Sequence, residues 1–147
     1  MTEIIPGLWL GKWTNSQDID FLEKEDINCI INCTNTFKFP NIKVRKIRIP
    51  VLDNRDEAEI YKMYCMLDKA VTLIRRLLAG RYRILIHCQA GQQRSVAIVL
   101  AFIIKYTDMN LETAQEMLRT KWEDADGSNF LGALKQYALD LASSRFT

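Results

Sequence analysis

Ile84-Leu85-Ile86-His87-Cys88-Gln89-Ala90-Gly91-Gln92-Gln93-Arg94-Ser95, followed by the apolar run Val96 to Ile104, decides how the rest of the chain is read. Three consecutive aliphatic residues predict a buried strand. The polar stretch after them predicts a tight loop, and the apolar run predicts a helix that begins where the loop closes. Backbone N–H groups and a helix N-terminus then converge on one point, which suits a phosphate-sized dianion. Cys88 and Arg94 lie six positions apart and bracket five residues, enough to wrap one phosphoryl group. Arg94 can hold two oxygens bidentately, and Gly91 permits a backbone angle or a close approach that a Cβ resists. The same field depresses a thiol from its free pKa of about 8.5, so Cys88 is expected to be a thiolate nucleophile without an adjacent base. Ser95, at the helix start, either caps the helix or donates to the sulfur.

Working outward, strands alternate with helices in the first two thirds of the chain and helices follow alone. This pattern predicts an α/β sheet covered on both faces. Leu8-Trp9-Leu10 reads as a strand ended by Gly11, Cys29 to Cys33 as a buried strand, and Val44 to Ile49 as an alternating strand stopped by Pro50. Asn15-Ser16 offers a cap for a short helix through Phe21 to Lys24. Ile60, Met63, Tyr64, Leu67, Val71, Ile74 and Leu78 recur at helical spacing, with Gly80 expected as a left-handed terminator. Asn110 is expected to cap a helix carrying Ala114, Met117 and Leu118, and a last helix is expected from Phe130 through Leu141.

With 147 residues, 48% of them hydrophobic, the chain is expected to form one domain, residues 1–147, with a sizeable core. No apolar run reaches membrane-spanning length and no secretory leader is visible, so a cytoplasmic or nuclear location is the default expectation. A net charge of +2 gives no reason to expect nucleic acid. Lys43, Arg45, Lys46 and Arg48 read as the solvated side of a strand. Cys29, Cys33, Cys65 and Cys88 lack paired CxxC spacing and are expected to be free thiols.

The single histidine, His87, excludes Ser-His-Asp triads and multi-histidine metal sites. Strand neighbours point to opposite faces, so His87 is expected to support the loop backbone rather than deprotonate Cys88. The proton for a leaving group must then come from a carboxylate. Asp53 and Asp56, after the Val44 to Ile49 strand, are the candidates, and the residues alone favour neither.

His87-Cys88-Gln89-Ala90-Gly91-Gln92-Gln93-Arg94-Ser95 resembles the HCxxGxxRS signature of cysteine-dependent protein tyrosine phosphatases, specifically the compact dual-specificity phosphatases. Ile5 to Gly11 resembles the family's opening strand, and Ile27 to Thr34 resembles its second strand motif. Ile49-Pro50-Val51-Leu52-Asp53 resembles its general-acid segment, so the resemblance assigns the acid to Asp53. It implies a central mixed, mostly parallel sheet of about five strands with helices on both faces, and neither metal nor cofactor. The implied activity is hydrolysis of phosphotyrosine and phosphoserine or phosphothreonine in protein substrates through a phosphocysteine, with Cys88, Arg94, Asp53 and Ser95 in the reaction. The expected partners are phosphorylated proteins, without nucleic acid or membrane, and the expected state is a monomer or weak dimer. A phosphatase of RNA 5′ ends or phosphoinositides shares the same loop, but neutral Gln89, Gln92 and Gln93 weigh against it. Retention of all four reacting residues weighs against an inactive phosphate-binding module. Two departures stand out. Gln93 occupies a position where many relatives carry serine, which would alter rim access or loop hydrogen bonding. Gly127-Ser128-Asn129-Phe130 replaces an Asn-x-x-Phe element, which places support of the loop from that side in question. Phe37, Lys38 and Phe39 either border the pocket or pack beneath their loop, and Trp122 and Glu123 are equally open.

Overall fold

The computed structural model describes residues 1–145. Five strands form one sheet, β1 (Thr2–Ile5), β2 (Leu8–Lys12), β3 (Cys29–Asn32), β4 (Arg45–Arg48) and β5 (Ile84–Cys88), in the order β1-β2-β5-β3-β4. Only the β1–β2 pair is antiparallel. The mixed, mostly parallel five-stranded sheet is thus as expected. β3 and β5 are buried along their whole length, which is why they read as unbroken apolar runs.

Side-chain alternation sorts the strands onto two faces. Leu8, Leu10, Cys29, Ile31, Ile84, Ile86 and Cys88 face the larger core, against α2 (Glu57–Ala79), α3 (Arg94–Tyr106), α4 (Leu111–Lys121) and α5 (Leu131–Arg145). Trp9, Ile30 and Leu85 face the other side, where Leu22 of the short helix α1 (Ile19–Lys24) and Ile27 cover them. α3 is buried from Arg94 through Ile104, as a helix apolar on every side must be. α2 buries Met63, Leu67, Val71 and Ile74 as the spacing predicts, while Leu77 rather than Leu78 completes the stripe.

Several boundaries differ from expectation. β1 is an unforeseen strand, and β2 runs through Gly11 because parallel pairing with β5 carries it on to Lys12↔Cys88. Asn15 and Ser16 lie inside a 3-10 turn, Trp13–Gln17, where the Asn15 carboxamide accepts from the Lys12 N–H. Asp18 is the residue that caps α1, accepting from Phe21 N at 3.2 Å. Gly80 is not left-handed, with φ −80°, and the positive angle falls on Arg81 at +65°. The turn closes one residue later because Tyr82 N reaches Leu77 O. Asn110 caps α4 as expected, accepting from Thr113 N at 2.9 Å.

β4 is an edge strand, so exposed Arg45 and Lys46 also discourage pairing with another chain. Arg48 departs from the solvated reading, for its guanidinium donates to Thr34 O and Phe37 O. The same guanidinium lies 5.0 Å from the centroid of Phe39, and this ring packs against the smaller core. Parallel register brings Lys12, Asn32 and the His87–Cys88 pair to one edge of the sheet. The loops leaving that edge build the site.

Candidate active site

β5 delivers Cys88 to the sheet edge, and residues 89–93 turn back into α3. Gly91 takes φ +67°, and a Cβ there would stand 2.9 Å from Gly11 O and 3.2 Å from the Trp122 ring. The loop is held from outside by its carbonyls. Gln89 O accepts from Trp13 N at 3.2 Å, Gly91 O from the Trp122 indole at 2.8 Å, and Gln92 O from both Asp126 N at 3.1 Å and Gly127 N at 2.8 Å. In a planar trans peptide each carbonyl is opposed by the next N–H. Those outward carbonyls therefore turn the N–H groups of Ala90, Gln92 and Gln93 away from the supporting segments and toward the loop's interior. The arrangement is a cradle of donors.

Cys88 lies on the floor, with its Sγ 3.2 Å from Ser95 Oγ. Burial pushes this thiol up, but the Ser95 hydroxyl, the N–H groups of Ser95 and Gln93 and the Arg94 guanidinium together hold it below its ordinary value. Ser95 is the second residue of α3 and fully buried, and its hydroxyl faces the sulfur. Arg94 is buried too. Its Nη1 donates to Val51 O at 3.1 Å, and its Nε has no partner among the described residues. A thiol held toward its anion and an unpaired cationic donor share one pocket.

His87 behaves as its position on the opposite strand face implies. Its Nδ1 lies 3.1 Å from Cys88 O, and only a protonated Nδ1 can make this bond to a carbonyl. Burial lowers its pKa to about 4, with the Cys88 carbonyl opposing and the Arg48 and Arg94 charges adding to the shift. It stays neutral and steadies the backbone at Cys88. All four cysteines are free thiols. Cys33, whose N–H donates to His87 O at 2.8 Å, follows β3 alongside Cys88, and burial holds its thiol well above the ordinary value. Cys29 is raised to about 11, chiefly by burial, and Cys65 is exposed on α2.

The two carboxylate candidates separate in space. Asp56 opens α2, where its carbonyl accepts from Glu59 N and Ile60 N. Asp53 instead reaches toward the segment before α5, and its Oδ1 accepts from Asn129 Nδ2 at 2.8 Å.

Residues 8–139 match the family described as dual specificity phosphatase, catalytic domain. The chain belongs to this family. Among relatives of the dual-specificity phosphatase domain, human dual specificity protein phosphatase 16 is 32% identical over 139 residues, covering 92% of this chain and 20% of that protein. Mouse dual specificity protein phosphatase 8 is 29% identical over 144 residues, covering 96% and 21%. The chain thus spans about a fifth of the length of these relatives. The crystal structure of human DUSP28 superposes with a TM-score of 0.88 at 19% identity, covering 98% of this chain and 99% of that one, which shows the shared fold.

Within the dual-specificity phosphatase fold the two departures in sequence prove to be connected. Gln93 does not stand at the pocket rim. It is 9% exposed and turns away from the loop, its Nε2 donating to Asp126 Oδ2 at 2.7 Å and its Oε1 accepting from Asn129 N at 2.9 Å. Support from the Gly127–Phe130 side is therefore present, carried by Gly127 N with its neighbour Asp126 N on Gln92 O and by Asn129 N on Gln93, while Trp122 holds Gly91 O from the end of α4. Trp122 is a loop-supporting residue, and Phe37 pairs edge-on with Trp13 at 5.0 Å. The residues that sequence reasoning did not assign, Trp122, Asp126 and Asn129, act on the loop through hydrogen bonds. Their one signal was the shifted asparagine beside Phe130.

Gly91→Ala tests the cradle. The left-handed angle and the 2.9 Å approach to Gly11 O together predict a loss of about 2–3 kcal/mol in stability. Hydrolysis should fall about tenfold or more as the N–H groups lose alignment. Denaturant midpoints and steady-state rates check the two separately.

Proposed function

We propose that the chain is a protein phosphatase, folded as a single catalytic domain over residues 1–147, that hydrolyses phosphotyrosine and phosphoserine or phosphothreonine through a phosphocysteine. The observation that carries this reading is the lowered Cys88 thiol beside the buried, unpaired Arg94 Nε in a ring of N–H donors. The Cys88 thiolate attacks phosphorus in line, and the bond to the leaving oxygen breaks as Asp53 gives that oxygen its proton. Arg94 and the loop N–H groups hold the three non-bridging oxygens as charge redistributes. Water then attacks the phosphocysteine and yields its proton to the Asp53 carboxylate. The S–P bond breaks, orthophosphate departs and Ser95 Oγ donates to the returning thiolate.

Arg94 is the one cationic side chain of the loop, and Gln89 and Gln92 are neutral, which supports singly phosphorylated protein side chains over polyanions. The reading requires a reduced Cys88, as the cytoplasm or nucleus provides, and a monomer or weak dimer is sufficient for it. Steady-state hydrolysis of phosphotyrosyl, phosphoseryl and phosphothreonyl peptides tests it beside phosphoinositides and triphosphorylated RNA. Peptides should be preferred. Faster turnover of RNA or phosphoinositides would overturn the substrate assignment while leaving the thiolate chemistry intact.

Ser95→Ala separates the two chemical steps. A hydrogen bond to a charged group contributes about 1.5–3 kcal/mol, so breakdown of the phosphocysteine should slow about tenfold or more. Formation should slow less, giving a burst in rapid-quench experiments. Ser95 donation lowers the Cys88 pKa, so its removal raises that pKa and moves the acidic limb of kcat/KM to higher pH. Equal losses in burst and steady state would count against the assignment.

A further inference from the structure

Asn129 occupies a place where both polar side-chain atoms have a determined role. Its Oδ1 accepts from Arg55 Nε at 2.9 Å, and this nitrogen can only donate. Its Nδ2 must therefore be the atom facing Asp53 Oδ1 at 2.8 Å. Its own backbone N–H donates to Gln93 Oε1 at 2.9 Å, which in turn requires Gln93 Nε2 to face the Asp126 carboxylate at 2.7 Å. Ser128 Oγ donates to the same Asp126 oxygen at 3.0 Å. The donor and acceptor senses run without ambiguity from the phosphate loop to the acid. Asp53 itself is exposed, in a segment without regular structure between β4 and α2. Nothing in its own backbone holds the carboxylate in one orientation.

We infer that Gln93 and Asn129 form a positioning relay that sets the orientation of Asp53 from the phosphate loop. The inference rests on the reading of Asp53 as the general acid and extends it to two residues whose side chains touch neither phosphate nor leaving group. Because Oδ1 is engaged as an acceptor, the transferable proton resides on Oδ2, the oxygen left free. Gln93 and Arg94 are consecutive, and they grip the acid segment at two points: Arg94 holds the backbone through Val51 O, and Gln93 holds the side chain through Asn129. The groups that bind phosphate and the group that protonates the leaving oxygen are thus built on one frame. Orientation of this kind carries a large part of catalytic rate, since a reacting group misplaced by about 1 Å can cost about a hundredfold.

A positioning role differs from a structural one in its dependence on the leaving group. The test measures kcat/KM for a series of aryl phosphates graded by phenol pKa, in the unaltered chain, Asn129→Ala, Asn129→Asp, Gln93→Ala, Asp53→Ala and the Asn129→Ala/Asp53→Ala pair. Asn129→Asp retains the acceptor for Arg55 but sets a carboxylate against Asp53, and provides a second variant should the alanine change disturb folding. Asn129→Ala should lose about tenfold on the poorest leaving group and less than about twofold on the best, whereas Gln93→Ala, which also frees Asp126 behind the loop, should show the same steepening on top of a uniform loss. Inhibition of Asn129→Ala by orthophosphate should be unchanged, and Asn129→Ala should add nothing in the Asp53→Ala background. A uniform loss across the series in Asn129→Ala, or weakened orthophosphate inhibition of that variant, would mean that the residue only holds the loop, and would overturn the inference. A steep leaving-group dependence in Asp53→Ala beside an unaltered one in Asn129→Ala removes the relay alone. A flat dependence in Asp53→Ala itself removes the acid reading and the relay with it.

Discussion

Cys88→Ser is expected to abolish turnover, with a loss on the order of 10⁴-fold or more, the scale on which enzymes lose rate with their nucleophile. The substitution is close to isosteric, so the packing of the larger core around Cys88 should survive. What disappears is the anion. The Ser95 hydroxyl, the Gln93 and Ser95 N–H groups and Arg94 bring a thiol below its ordinary value, but a serine hydroxyl begins far higher, and the same surroundings leave it neutral. Binding should persist, because Arg94 and the loop N–H groups remain, and orthophosphate should inhibit phosphate-ester binding within about threefold of its effect on the unaltered chain. The inactive variant should therefore retain a phosphorylated peptide without consuming it. Steady-state rates together with peptide binding by calorimetry check both halves, and substantial residual turnover in Cys88→Ser would sink the thiolate mechanism.

The second large effect concerns the proton. Asp53→Ala should lower kcat/KM for phosphoseryl and phosphothreonyl peptides by about 10²–10³, because an alkoxide is a poor leaving group and general acid catalysis contributes on that scale. For aryl phosphates with strongly acidic phenols the loss should shrink to a few fold, since such phenoxides depart unaided. Asp56→Ala supplies the contrast. Asp56 serves α2 through its carbonyl, which any residue offers, and its side chain makes no capping bond, so its removal should change rates by less than about threefold. An equal loss for Asp53→Ala on alkyl and activated aryl substrates would defeat the assignment.

The parts of this molecule that could be read in advance are those in which local chemistry and tertiary structure agree. β3 and β5 are buried on both faces, so their apolar runs are unambiguous, and α3 is apolar all round because it sits between the sheet and three further helices. The loop from Cys88 to Arg94 was legible because glycine, cysteine and arginine each have one physical reason to be there. β1 was not, since four terminal residues with a single buried side chain, Ile4, show no usable period, and its strand character comes from pairing with β2. Asn15 is a good cap in isolation, yet its carboxamide serves Lys12 N, and Asp18 caps α1. Gly80 is the better left-handed residue, but Arg81 takes that angle because the chain must turn there to place Tyr82 N on Leu77 O. Of the two roles left open for Gln93, rim access and loop hydrogen bonding, the second holds. A sequence shows the length of a glutamine, and only the path of residues 122–129 shows which way it turns.

The outward-facing carbonyls of Gln89, Gly91 and Gln92 have a consequence for how such a loop can change over generations. On the proposed reading, phosphate is held by Arg94 and by main-chain N–H groups supported from behind by Trp13, Trp122, Asp126 and Gly127, so the side chains at 89, 90 and 92 are largely released from the task of binding it. Selection can vary them to suit a new substrate surface without first dismantling the chemistry. The constraint moves to the distant supports, where a change that leaves every letter of the Cys88 to Ser95 signature intact can still silence a descendant.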